Sequence, residues 1–439
     1  MSLPFILPSS TSTSTPKTVI VVGGGCSGLA MAEALHERDP MSKITIIDMQ
    51  FEVDTGSTSV ANYSEPKISA SRGCGRIIRD DYIHPTYRTI ACAAMAHWKH
   101  VEPWCQFYHD TGLALVGSGD KDGQLKRTFD ISLAHRKSAG VRTGLKVFNS
   151  ETHIEEVCHI KALRGAWGYF NPEAGWVNAD HVTTALLHKL ATLDNLSIER
   201  GKVVSLVKDP TGKRVLGVAL ESSETLFAEF VVLATGPWTS TLVDTSGISI
   251  ASAEPMALFK LQPEHEIGLT NMPAVVDFEQ KICMTPPVGR LLRIALHRQD
   301  WLNPSDFEHP ETGHTKVSLP LFSADHASSD TRAAHLALLH HALKRVSPPV
   351  DGTIVDFRYC WYDDTLTSDF IITHHPKLSG LFMLHGLGAH GFKFLPVLGR
   401  YAVAALLGEL ASEAQALWQW PQKVSERELE DQHGQGGWR

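Results

Sequence analysis

The chain has 439 residues, 43% of them hydrophobic and 20% charged, the profile of a soluble globular enzyme too long for one ordinary core. Its formal charge of −8, with no Lys/Arg block or basic–aromatic stripe, argues against a polyanion-binding surface, so no nucleic-acid partner is expected. No apolar run approaches the roughly 18–20 residues that cross a bilayer, and no membrane partner is expected either.

The N-terminus starts with the short apolar run Leu3 to Leu7, followed by the Ser/Thr-rich stretch Ser9 to Thr15. It lacks the basic region and long apolar core of a secretory signal. The chain ends Gly-Gly-Trp-Arg, which is no peroxisomal address. A cytoplasmic location is therefore expected, with residues 1–16 and 416–439 as flexible termini; separately, the chain is expected to be a monomer. The seven cysteines are scattered, odd in number and free of Cys-x-x-Cys pairs. Neither a disulfide framework nor a metal site is expected.

The first element in chain order is Thr18-Val-Ile-Val-Val22, a continuous apolar run suited to a buried parallel strand. The glycine-rich Gly23-Gly-Gly25-Cys26-Ser27-Gly28 follows, then helix formers from Leu29 to Leu35 and a second apolar strand, Lys43-Ile-Thr-Ile-Ile47, ending on Asp48. Strand, Gly-rich turn, helix and strand in about 30 residues make a βαβ unit. A helix is expected over Asp180 to Leu190, then a short meander through Leu196, Val203 to Val207 and Val215 to Leu220 with a turn at Pro210-Thr-Gly212. The apolar strand ending Leu233-Ala-Thr-Gly236 comes next. From about Ile250 to Thr365 the pattern changes to short, proline-interrupted strands and one helix, Asp330 to Arg345. The strand Leu381-Phe-Met-Leu384, a Gly-rich turn and a helix from Val397 to Leu410 return to the opening pattern. A polar tail is expected after about Ala414.

This order predicts an α/β Rossmann-type domain that is discontinuous, over 17–112, 173–249 and 366–415. A second, β-rich substrate domain is expected over 113–172 and 250–365. In the first βαβ unit, Gly23, Gly25 and Gly28 permit a tight turn, close approach to a pyrophosphate and close helix packing. The helix N-terminus, beginning at Cys26 and Ser27, favours phosphate. Asp48 lies where a carboxylate accepts hydrogen bonds from ribose hydroxyls. The Ser/Gly-rich stretch Ser57 to Arg76 in place of a second regular βαβ unit, and the later Gly-terminated strand, favour FAD over NAD.

In the C-terminal third, Arg358-Tyr-Cys360-Trp-Tyr-Asp-Asp-Thr365, Asp369-Phe-Ile-Ile372 and His385-Gly-Leu-Gly-Ala-His390-Gly-Phe-Lys393-Phe resemble the monomeric sarcosine oxidase and fructosyl amino acid oxidase (amadoriase) family. Those are FAD amine oxidases of the D-amino-acid oxidase superfamily. The likeness runs from about Lys17 to Leu410 and is densest at the Gly-rich turn, Arg76 to Arg79, Gly168 to Asn178 and Arg358 to Gly399. Read from the residues alone, Cys360 is either a buried core thiol or a reactive one; the resemblance implies a thioether to the flavin 8α-methyl. Lys393, otherwise a helix-surface lysine, matches the family's substrate-carboxylate ligand. Arg76 matches an arginine near the flavin ring and the carboxylate, where a guanidinium gives planar recognition, while Arg79 is expected to be structural or electrostatic. His297, one of 23 histidines, falls at a family active-site histidine. Arg293 stands where the family has a lysine that helps oxygen accept electrons. Val203, Gly236, Trp238, Gly388, His390, Gly391 and Phe392 complete the expected flavin contacts.

The implied reaction is oxidation of the C–N bond of a secondary amine or N-alkyl amino acid to an imine, with molecular oxygen as acceptor and hydrogen peroxide as product. A specialised amine of natural-product biosynthesis is one expected substrate class. Deglycation of fructosyl amino acids is the alternative within the class, and a flavin-binding protein without turnover is the alternative outside it.

Overall fold

The computed structural model describes residues 3–7, 14–54, 60–63, 68–118, 123–140, 144–296, 301–310 and 312–422. The apolar strand β1 (Thr18–Val22) lies between β2 (Lys43–Asp48) and Phe230–Leu233, parallel to both. Buried on both faces, it has no use for polar alternation, which is why its sequence is a continuous Val/Ile run. Leu196–Arg200 pairs parallel with β2, and Leu381–His385 pairs parallel with Phe230–Leu233. Ile371–His374 closes the six-stranded sheet in antiparallel sense. Helix α1 (Cys26–Arg38) and the helix Leu395–Leu406 cover one face. They approach so closely that a Cβ on Gly399 would lie 1.8 Å from the Ala30 carbonyl oxygen. The meander Val203–Lys208, Val215–Leu220 and Thr225–Phe227 covers the other face.

The second layer is an eight-stranded sheet in the order Gly352–Thr365, Ser249–Leu261, Leu291–Leu296, Ile282–Val288, Ala274–Asp277, Leu113–Ser118, Ala166–Asn171 and Lys146–Val147. Its faces alternate with the side-chain period of two. Ala257, Phe259, Leu261, Leu292 and Ile294 pack against Leu339, Ala342 and Leu343 of the helix Ser329–Leu343. The intervening positions form the opposite face, with Leu258 in register with Arg293, Met256 with Ala295 and Arg358, and Glu254 with Cys360.

Three expectations change. Leu196–Arg200, expected to open the meander, instead belongs to the parallel sheet, because helix Ala179–Ala191 returns the chain to the edge of β2. The proline-interrupted region holds two strands of 13 and 14 residues rather than only short ones. Both presumed flexible ends are partly docked by apolar side chains, from the short run at Leu3 to Leu7 and from within the polar tail. Leu3 is buried, Ile6 bridges Leu410, and the Leu7 N–H donates to the Glu409 carbonyl at 2.8 Å. Ser412–Trp418 is helical, and Trp418 is buried with its Nε1 donating to Tyr87 Oη at 3.3 Å. No helix among the described residues is long and apolar enough to cross a membrane.

Candidate active site

The glycine-rich turn is a cradle in which added carbon has no room. Gly23 has φ +107°, and a Cβ there would sit 2.3 Å from the Ala234 carbonyl oxygen; at Gly28 it would sit 1.8 Å from the Gly23 oxygen. Asp48 Oδ2 accepts the Gly24 N–H at 2.6 Å, and Oδ1 accepts the Gln50 N–H at 2.7 Å. Burial pushes the Asp48 carboxyl up from the ordinary range, against those backbone donors. Each carboxylate oxygen keeps a second lone pair for a sugar hydroxyl. Tyr63 Oη donates to the Gly24 carbonyl at 2.7 Å, and the Cys26 N–H donates to Ser71 Oγ at 2.9 Å. Neither support was apparent from the sequence, because Tyr63 and Ser71 lie 39 and 45 residues away.

A cavity of about 490 Å³ opens at the carboxyl ends of these strands, where open α/β sheets bind ligands. Of the expected cofactor contacts, Gly23, Gly25, Cys26, Ser27 and Asp48 line its nucleotide end. Arg76, Val203, Gly236, Trp238, Gly388, Gly391 and Phe392 line the rest. Gly28 serves the packing of α1 instead. Arg79, Arg293, Cys360, His390 and Lys393 stand behind the wall. His297 lies outside the described residues. A cradle this tight, ending at a buried carboxylate, fits the diphosphate and ribose of FAD.

Behind Phe392 a cationic group forms around Tyr82. Lys393 is 6% exposed, and its Nζ donates to Tyr82 Oη at 2.9 Å and to the His390 carbonyl at 3.2 Å. No carboxylate pairs with it among the described residues. Burial, reinforced by the Arg79 guanidinium, holds its amine well below the ordinary lysine range. Arg79 lies 4.8 Å over the Tyr82 ring and donates to the Asp81 carbonyl. Burial above all, with Lys393 adding to it, lowers His390 to about 3, so this ring is neutral. Its Nε2 must donate to the Ser368 carbonyl at 2.9 Å, which leaves Nδ1 to accept from Tyr82 Oη at 3.1 Å. The fold thus brings Arg79 beside Lys393, a partnership that the sequence reading did not make.

Arg76 behaves differently from its expected role. Its Nε donates to the Ala70 carbonyl at 3.1 Å, Nη1 to those of Gly75 and Cys74 at 3.2 and 3.4 Å, and Nη2 to those of Ala70 and Arg72. All five guanidinium donors clasp the loop that precedes it, so here it shapes the cavity wall.

Arg293 is buried on the inner face of the eight-stranded sheet, Nη1 3.7 Å from Cys283 Sγ. Burial alone would favour its neutral form, but Cys283, Cys360, Cys74 and Tyr362 push its pKa further up, so it is a permanent cation. Burial raises the Cys74 and Cys283 thiols, and Arg293 opposes both shifts. Gly75, at φ +74°, lets the loop press on this arginine: a Cβ there would meet Arg293 Cδ at 2.8 Å. Cys360 packs with Met256, Ala295, Cys283 and Tyr362, and its neighbours Trp361 and Tyr362 reach the cavity. Tyr362 was legible inside the Cys-Trp-Tyr motif; Cys74 and Cys283 carried no local signal.

The family profile "DAO: FAD dependent oxidoreductase" matches residues 18–405. The chain belongs to this family. It is similar to the amino acid oxidase imqH of Aspergillus flavus, 27% identical over 92% of this chain and 98% of that protein. It is also similar to the L-saccharopine oxidase of Schizosaccharomyces pombe, at 24% over 94% and 95%. The fold matches that of the fructosyl peptide oxidase from E. terrenum with a TM-score of 0.79 at 21% identity, over 98% of this chain and 99% of that one. This DAO-family chain is an oxidoreductase acting on amine groups, as its amino acid oxidase and sarcosine oxidase relatives are.

Proposed function

We propose that this DAO-family oxidoreductase oxidises a secondary amine that carries a carboxylate, giving an imine, with oxygen as the final acceptor and hydrogen peroxide as product. The observation that carries the reading is the pair of buried cations, Lys393 and Arg79, meeting at Tyr82 directly behind the cavity wall at Gly391 and Phe392. Buried cations of this kind suit a carboxylate, which they would hold so that the substrate C–H bond faces the cofactor.

The Gly-rich cradle and Asp48 would hold the nucleotide half of FAD, which supplies the hydride acceptor when bound. Burial and Arg79 hold the Lys393 amine below the ordinary lysine range, and a substrate carboxylate beside it would favour its protonated form; the substrate amine itself must be uncharged for the reaction. Arg293 keeps a positive charge beneath the inner sheet face, where anionic oxygen species are stabilised. Cys360, buried between the cavity-lining Trp361 and the chain's own Tyr359, is the residue we assign to a covalent flavin thioether. Its test is acid precipitation: the yellow chromophore should stay with a chain that gains the mass of one FAD. Anaerobic addition of N-methyl amino acids and of fructosyl amino acids tests the activity. Bleaching of the flavin's visible absorption by the first set identifies the enzyme, by the second only, a deglycating one, and by neither, a flavin-binding protein.

A further inference from the structure

Asp363 and His385 face each other where the two sheets meet. Asp363 belongs to the strand Gly352–Thr365 of the eight-stranded sheet, and His385 ends the strand Leu381–His385 of the six-stranded one. His385 Nδ1 bonds Asp363 Oδ2, which also accepts the Gly386 N–H at 2.9 Å. Both side chains are buried, 1% and 6% exposed for His385 and Asp363, and both line the FAD-type cavity. Two glycines permit the approach. Gly386 has φ +71°, and its Cβ would lie 2.7 Å from Thr365 Cγ2; Gly388 has φ +51°, and its Cβ would lie 2.8 Å from Asp364 Oδ1.

The other ring nitrogen, His385 Nε2, is buried and has no hydrogen-bond partner among the described residues. Such a group is costly in a folded protein unless something else satisfies it. Strand register says where that partner lies. Val22 is level with Leu233 and Leu233 with Met383, so His385, two residues further, is level with Gly24 of the phosphate turn but two strands away. From there the cavity continues to Tyr362. The stretch between the diphosphate and the ring system of a flavin dinucleotide is the polyol ribityl chain. A tautomer with its Nδ1–H directed at the carboxylate leaves Nε2 as the ring's acceptor, which suits a hydroxyl and not a phosphate oxygen.

We infer that His385 Nε2 accepts a hydrogen bond from a ribityl hydroxyl of the bound flavin, and that Asp363 is the positioning residue that fixes the ring's tautomer and angle. The inference rests on the FAD reading above. It also makes the pair a joint, since the cofactor completes a polar contact shared by both sheets.

The test uses the holoprotein carrying Cys360→Ser, so that a thioether cannot mask release, with flavin per chain and the rate of flavin release read by fluorescence. His385→Phe should speed release about tenfold, the size of one hydrogen bond. His385→Gln, which keeps an oxygen acceptor near the Nε2 position, should recover most of the loss. Asp363→Asn should speed release by a smaller factor in the parent and by none in the His385→Gln background, because its effect passes through the ring. A purely structural pair would instead lower the unfolding midpoint in all variants alike, with no rescue by glutamine. Parental release rates in His385→Phe, or flavin binding in the parent that tightens steeply in acid as a phosphate contact requires, would overturn the assignment. A parent protein without flavin would overturn the cofactor reading beneath it.

Discussion

Around the Gly-rich turn, what faces the cavity is mostly backbone: strand ends, N–H groups, and the glycines Gly23 and Gly25, with Gly24 and Gly28 packed behind them where a side chain has no space. Across from it, the inner face of the eight-stranded sheet presents side chains drawn from far apart, with Arg293 and Cys283 beside Cys360 and Tyr362 and the Cys74 loop pressed on them. A backbone site depends on local conformation and tolerates almost no added volume. A side-chain site depends on register and burial, and its parts can be changed one at a time. The two regions should therefore fail differently.

The largest effect is expected at the turn. Gly28→Ala places a carbon 1.8 Å from the Gly23 carbonyl oxygen, and overpacking of this kind costs about 3 kcal/mol. The variant should lose flavin altogether and show a lower denaturation midpoint. If it bound flavin normally, the cradle would be looser than its geometry. On the side-chain half, Lys393→Met should weaken binding of carboxylate-bearing substrates by roughly 2–5 kcal/mol while flavin per chain stays unchanged. Full substrate affinity in that variant would remove Lys393 from the site.

A third comparison uses pH. The unfolded chain protonates histidine near its ordinary value of about 6.5, whereas buried His390 resists protonation until about 3. Between these values the unfolded state binds the extra proton, so stability rises with pH and is lost as pH falls. The slope should be ~1.4 kcal/mol per pH unit from this residue. His390→Gln should flatten the acid limb of the midpoint-versus-pH curve by that amount; an unchanged limb would mean the ring is protonated in the folded state. Arg76→Lys, which cannot clasp four carbonyls, should lower the midpoint and flavin retention with little change in KM, whereas a direct carboxylate ligand would raise KM first. The smallest effect is expected at Arg293. Arg293→Lys replaces a diffuse guanidinium by a compact charge and should modestly speed reoxidation by oxygen in stopped-flow traces. Equal rates for lysine and methionine variants would place the oxygen site elsewhere.

The amino-acid sequence by itself determined the dinucleotide half. A Val/Ile strand, glycines at fixed spacing, a helix and Asp48 are local signals, because the backbone conformation they demand is set by neighbours within about 30 residues. It also marked the return strand and the turn at Gly388 to Lys393. The tertiary structure alone decided what these residues touch. Arg76 reads as a ligand and is occupied by its own loop; Arg79 reads as structural or electrostatic, and only the fold names Lys393 as the group it acts on. Cys283 and Arg293 meet through strand register while the loop at Cys74 and Gly75 packs on the arginine, and Asp363 meets His385 across two sheets. Trp418 was hidden in a polar tail, and the short apolar run at Leu3 was too brief to read as an element, until the core they cover existed. Side-chain partners separated by tens to hundreds of residues leave no periodicity in the chain, so only the packing of two layers, and the burial that makes an unpaired polar atom costly, decides which of them form a site.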